Sequence, residues 1–189
     1  MKILLHALFC LSLLSTAGPA RADTEVAGIK LADHYQLGGE SLTLNGAGVR
    51  SKFFFKIYVG ALYTGKPGSD AAALIAATGP ESMQMIMLYK EVEAKKITHG
   101  WREGFRANTS DMEFSQLEQR LQQFNDLFPD LHAGDRVHMD YTPDSGTTLR
   151  INGKELGTIA GRDFFSALLK VWIGDHPADD NLRDGLLHH

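Results

Sequence analysis

The chain has a single cysteine among its 189 residues, Cys10, and that one lies inside an apolar run near the start. Beyond it there is no thiol to form a disulfide, bind a metal or act as a nucleophile. There is no excess of positive charge: 19 Lys and Arg stand against 23 Asp and Glu, giving a formal charge of −4, and no basic stripe offers itself to nucleic acid. No repeat or low-complexity run is present. The eight histidines include no pair at metal-ligand helical spacing, and His132 with His138 has no carboxylate cluster at a familiar interval. No G-x-S-x-G elbow accompanies the serines and histidines. The Gly-rich Gly46-Ala47-Gly48 leads from strand into strand, so no helix N-terminus follows to hold a phosphate. Nothing in the sequence calls for a cofactor.

Long apolar runs are equally scarce, with one exception at the start. Lys2 precedes an apolar segment from Ile3 to about Leu14, and small residues follow, ending Ala20-Arg21-Ala22. This three-part pattern predicts a signal peptide over residues 1–22, cleaved before Asp23. The run is shorter than the roughly 20 residues of a membrane span. Phe9 before Cys10 is unlike the small residue that precedes a lipidated cysteine. Loss of Lys2 and Arg21 leaves seventeen basic residues and a charge near −6. The expected product is a periplasmic or secreted domain, residues 23–189, held by its core alone and without an integral membrane segment.

Strand and helix signals alternate along that domain. Ser41–Leu44 and Val49–Tyr63 flank Asn45-Gly46-Ala47-Gly48 and read as a β-hairpin. Ser69–Ala77 reads as a short alanine-rich helix stopped by Gly79-Pro80, and Met83–Val92 as a strand whose methionines suit either core or an apolar ligand wall. Ile97, Trp101 and Phe105 form one helical stripe within residues 93–108. Phe114, Leu117, Leu121, Phe124 and Phe128 form another. Strands are expected at 135–142, 147–151 and 155–159, followed by a helix at 162–172 and a short one after Asp179. The fold class is α+β, a mostly antiparallel sheet with helices packed on one side.

On the second hairpin arm, Phe53, Phe55, Ile57, Val59 and Ala61 share a face expected to pack on the helices. The other face carries Arg50, Lys52, Phe54, Lys56, Tyr58 and Gly60. Lys52 and Lys56 suit a solvated face that protects the sheet. Arg50 and Tyr58 form a sharper pair. A guanidinium grips a carboxylate with two parallel hydrogen bonds, and a phenol eight residues along adds a third if the sheet coils around a cleft.

The segments "LNGAGVRSKFFFKIYVGALY", "EAKKITHGWREGF" and "IAGRDFFSALLKVWIGDHPADDNLRDGLL" resemble, in order and position, the chalcone isomerase-like superfamily, in particular its exported bacterial branch. The resemblance implies an open-faced β-sandwich, a large antiparallel sheet covered by helices with a cleft between. That family contains true isomerases and non-catalytic fatty-acid binders. By resemblance, Arg50 matches the cleft arginine shared by both. Aligning on Leu62-Tyr63 places Tyr58 where the binders have a tyrosine; aligning on Gly60 would put Ile57 there. The tyrosine and asparagine with which the plant enzymes hold the substrate ketone have no counterpart in "EVEAKKITHGW", and Phe165 is the nearest match to their hydroxyl residue, with Ser166 one residue off.

The expectation is therefore a non-catalytic binding protein for a fatty acid or similar small hydrophobic carboxylate, with Arg50 and Tyr58 at the head group. Ile97, Trp101, Phe165 and the methionine strand are the expected tail contacts. The alternatives are an intramolecular lyase or isomerase on a chalcone-like or other phenolic substrate, with Arg50 stabilising an enolate, and a partner-binding envelope protein with a vestigial cleft, its partner unknown.

Overall fold

A computed structural model describes residues 24–187. The predicted signal peptide and its cleavage site lie outside the described residues. In chain order the elements are β1 (Thr24–Val26), β2 (Ile29–Leu31), β3 (His34–Leu37), β4 (Glu40–Lys52), β5 (Phe55–Thr64), α1 (Ala71–Ala76), β6 (Glu81–Met87) and β7 (Glu91–Val92). They continue with α2 (Ala94–Asn108), α3 (Asp111–Asn125), β8 (Leu131–His132), β9 (Arg136–Thr142), β10 (Gly146–Ile151), β11 (Lys154–Ile159), α4 (Arg162–Ile173) and α5 (Asp180–Leu187). Seven strands form one antiparallel sheet in the order β11-β10-β9-β6-β5-β4-β3. None of the described helices is long and apolar enough to cross a membrane.

The helices lie on one face of the sheet, and the main core fills the space between. Ile97, Trp101 and Phe105 of α2 and Phe114, Leu117, Leu121 and Phe124 of α3 are buried there, as the four-residue spacing of each stripe requires. Helix α4 is buried almost all round, from Phe164 to Ile173. Asp70 caps α1 by accepting from the Ala72 and Ala73 N–H groups, and Ser110 caps α3.

Three sequence expectations are corrected here. Asn45-Gly46-Ala47-Gly48 is not a turn: it lies inside the thirteen-residue β4, with a bulge between Leu44 and Gly46. The glycines serve close approach instead. A Cβ on Gly48 would stand 3.2 Å from the Leu182 backbone, so α5 rests directly on this strand, and Asn45 Nδ2 donates to the Leu186 carbonyl at 2.7 Å. The true hairpin turn is Phe53-Phe54, because Lys52 pairs with Phe55 and Arg50 with Tyr58.

The second correction concerns the faces of β5. Tyr58 and Leu62 belong to the core under the helices, while Val59, Ala61 and Tyr63 belong to a smaller cluster with Leu31, Leu42 and Ile86. From Tyr58 onward the helix-facing set is thus the even-numbered one, opposite to expectation, while Ile57, at the bulge, packs against the main core as expected. Both faces of the sheet are covered here, so both are apolar and alternation carries no contrast. Phe53 and Phe55, assigned to the buried face, are exposed. The predicted strand at 83–92 is broken, with β6 ending at Met87 and β7 pairing with β8.

One buried ion pair joins sheet and helices. Glu81, 1% exposed, accepts from Arg162 Nη1 at 2.6 Å, and Arg162 Nη2 donates to the Ile75 carbonyl at 2.9 Å, tying α1 to the start of α4. Burial pushes the Glu81 carboxyl up from 4.5 to about 7, against the pull of Arg162.

Candidate functional site

Between the β4–β5 hairpin and α2 lies a cavity of about 660 Å³, inside the range of roughly 300–1,000 Å³ that encloses small-molecule ligands. Its apolar wall includes Met85 and Met87 of β6, Ile97 and Trp101 of α2, and Val171 of α4. The helix α2 leaves room for it through small residues, Gly100, Gly104 and Ala107, at helical spacing on the cavity side. A Cβ on Gly100 would meet nothing within 4 Å, whereas one on Gly104 would come within 2.8 Å of Val171. The α4–α5 connection closes the far side with His176, Pro177 and Ala178. Asn108 holds it there: its Nδ2 donates to the His176 carbonyl at 2.8 Å and its Oδ1 accepts from the His176 N–H at 2.9 Å.

Arg50 and Tyr58 line the same cavity as direct cross-strand partners, with the Arg50 guanidinium carbon 5.9 Å from the phenol ring centroid. Tyr58 is buried, and its hydroxyl accepts from Trp172 Nε1 at 2.9 Å, which leaves the O–H proton available for donation. Burial pushes the phenol pKa above its ordinary value, while the Arg50 charge and the Trp172 bond pull the other way, so the phenol stays a neutral donor at physiological pH. Arg50 Nε is buried and bonds no protein atom. The same is true of Trp101 Nε1. A buried donor left unmade costs on the order of 1–3 kcal/mol, and more when charged. The cavity therefore combines one cationic, donor-rich corner with an apolar wall, an arrangement that accepts an anionic head and buries a hydrophobic body.

Of the residues singled out from sequence, Arg50, Tyr58, Ile97 and Trp101 meet at this cavity. Phe165 does not. It stacks on Tyr141 at 5.2 Å beside the Arg162 guanidinium, deep in the core between α4 and the sheet. Trp172, assigned only to a core stripe, is the hydrogen-bond partner of Tyr58. The rim residues Tyr89, Glu91, His99 and His176 carry no spacing signal, because they come from a bend, a two-residue strand, a helix and a loop that only the fold assembles.

Residues 23–188 match the family described as chalcone isomerase-like. The chain belongs to that family. Fatty-acid-binding protein 1 of Arabidopsis thaliana is 24% identical over an alignment covering 79% of this chain and 64% of that protein. The chain thus spans less than two thirds of that relative's length. A crystal structure of an Arabidopsis thaliana fatty-acid binding protein superposes with a TM-score of 0.68 at 16% identity, covering 85% of this chain and 92% of the other. That likeness carries the fold: a curled antiparallel sheet with helices, the chalcone isomerase-like fold, as the sequence resemblance implied.

Proposed function

We propose that this chalcone isomerase-like protein is an exported, non-catalytic binder of a fatty acid or a similar amphipathic carboxylate. The observation that carries the reading is the buried Arg50 Nε, without a protein partner, beside Tyr58 in a cavity that also has an apolar wall of Met85, Met87, Ile97, Trp101 and Val171. The names of the Arabidopsis relative and of the similar solved structure support the same ligand class. A carboxylate accepts from the guanidinium and from the phenol O–H, while its chain lies along Met85, Met87, Ile97 and Trp101.

Magnitudes agree with a useful affinity. Ten methylenes buried at about 0.8 kcal/mol each contribute roughly 8 kcal/mol. Association costs of about 4 kcal/mol or more offset much of that, and the charge-assisted bonds bring the balance near micromolar. The pattern of residues 1–22 supports export to a periplasm or beyond, and the exported bacterial branch of the family is the natural assignment. Mass spectrometry of small molecules carried by the purified protein tests the reading. A fatty acid released on denaturation is the expected result; a cavity that neither carries nor takes up any fatty acid would overturn it.

A further inference from the structure

At the tip of the β4–β5 hairpin three consecutive phenylalanines stand in solvent: Phe53 is 86% exposed, Phe54 100% and Phe55 56%. Lys52 and Lys56 bracket them and are exposed as well. Phe55 touches Tyr89 edge-on at 5.5 Å, which adds an amphipathic phenol to the same rim. Phe53 holds a positive φ of 55°, a backbone state that bulky residues rarely adopt, so the turn keeps its aromatic residue where glycine or asparagine would fit more readily. The tip is also the cavity's own margin, since Lys52, Phe53, Phe55 and Tyr89 all line it.

We propose that the hairpin tip Lys52–Lys56 is a docking element for an anionic lipid surface. Aromatic side chains flanked by lysines match the two layers of a bilayer interface: acyl chains below, negative headgroups at the level of the cations. The two cations are local, on a chain whose net charge is −4. Across the opening the charges are mixed, Glu91 of β7 and Glu103 of α2 with Lys96, whereas residues 50–58 of the hairpin carry cations and no carboxylate, so the hairpin is the side that faces the headgroups. A protein partner is the poorer fit. Three phenylalanines supply about 500 Å², short of the roughly 800 Å² per side of a stable interface. Docked this way, the cavity mouth lies at headgroup depth, and an amphipathic ligand passes between bilayer and cavity without crossing water. This last consequence rests on the proposed function; the docking itself does not.

The test uses the chain from Asp23 onward, which contains every described strand and helix, and sedimentation with phosphatidylcholine vesicles with or without phosphatidylglycerol. Phe54→Ser/Lys56→Glu alters two exposed residues that do not line the cavity. Association is expected only with phosphatidylglycerol present, and the double variant should weaken it by roughly a hundredfold. Fatty-acid titration in vesicle-free buffer should be unchanged in the variant, and failure of that titration in the parent chain would count against the ligand reading instead. Phe54→Trp should show fluorescence quenched by brominated lipids. No vesicle association, association unaffected by the double variant, association indifferent to phosphatidylglycerol, or a concentration-dependent dimer that the variant abolishes without any vesicle binding would each overturn the docking proposal.

Discussion

Arg50 and Tyr58 sit directly opposite each other across the β4–β5 ladder, one on each arm of the hairpin. Eight residues along a single strand would separate them by about 26 Å. Across a ladder their Cβ atoms come within about 5 Å. Placing the turn at Phe53-Phe54 is what brings guanidinium and phenol to one corner of the cavity, with Trp172 behind them.

Arg50→Ala should weaken fatty-acid binding by about 2–5 kcal/mol, because a buried carboxylate loses its charged partner. Tyr58→Phe should cost about 1–3 kcal/mol, deleting one bond to a charged group while keeping the ring. Lys52→Ala, at the exposed rim, should change little and only at low salt. Calorimetric titration at two ionic strengths separates these cases; equal, salt-sensitive losses at Arg50 and Lys52 would reduce the arginine to general surface charge.

The two glycines of α2 should respond oppositely to alanine. Gly100→Ala adds a methyl in open space and should stabilise the helix by about 0.5–1 kcal/mol. Gly104→Ala drives a Cβ against the branched Val171 side chain and should destabilise by about 1–3 kcal/mol. Gly100→Leu should leave the fold intact and lower ligand affinity by filling the cavity. Urea denaturation and ligand titration check all three, and a stable Gly104→Ala would show that α2 and α4 can separate freely.

Glu81 makes stability depend on pH in an unusual direction for a carboxylate. Its folded value of about 7 lies above the ordinary 4.5, so the folded state retains a proton that the unfolded chain has lost. The contribution is complete below pH 4.5 and is lost as pH rises through about 7, an interval worth about 3 kcal/mol. Glu81→Gln should flatten that part of the profile. The difference between parent and variant in urea unfolding from pH 4.5 to 8 is the measurement. A parent that instead loses stability relative to the variant as pH falls from 8 to 4.5 would mean the Arg162 pair dominates and the carboxyl stays charged.

No cyclisation of a hydroxychalcone above the spontaneous rate is expected. The segment "EVEAKKITHGW" lacks the tyrosine and asparagine that the family resemblance would require for the ketone. Each missing transition-state hydrogen bond typically removes about 2.7–4 kcal/mol, a factor of 10² to 10³. Chalcone absorbance with and without protein decides it, and stereoselective, protein-dependent loss would move the isomerase reading to first place.

Export should leave Asp23 as the first residue, since Ala20 and Ala22 supply the small side chains read by a signal peptidase. N-terminal sequencing of protein from the periplasmic fraction should begin there. An exported, membrane-bound form that retains Met1 would contradict this.

Helices α2 and α3 were legible because their burial is one-sided, and β9 to β11 because of the turns between them, whereas the short β1, β2, β3 and β8 were not expected. The stripes Ile97-Trp101-Phe105 and Phe114-Leu117-Leu121-Phe124 repeat at the helical period, and β9 to β11 are punctuated by turns. Arg50, Tyr58, Ile97 and Trp101, singled out through an out-of-place cation, a phenol and the α2 stripe, line one cavity. What failed was local in each case. Asn45-Gly46-Ala47-Gly48 has turn composition, yet its glycines answer to α5, which arrives some 135 residues later along the chain and leaves no mark on the neighbouring sequence. Phe53-Phe54 lacks the glycine or asparagine of a two-residue turn, so the hairpin was set at the wrong place and its faces inverted. Phe165 and Trp172 occupy one helix stripe, and only the packed structure separates the ring against Tyr141 from the indole against Tyr58.

The chain has two tryptophans, and both stand at the site: Trp101 in the cavity wall and Trp172 bonded to Tyr58, their rings edge to face at 5.2 Å. All native indole emission therefore originates within one ligand's reach. The protein carries its own optical gauge of occupancy. If the proposed ligand binds, a carboxylate drawing on the Tyr58 hydroxyl would perturb one indole through its N–H and an acyl chain in the cavity would change the polarity around the other, so a bare fluorescence titration would report head and tail together without any attached dye.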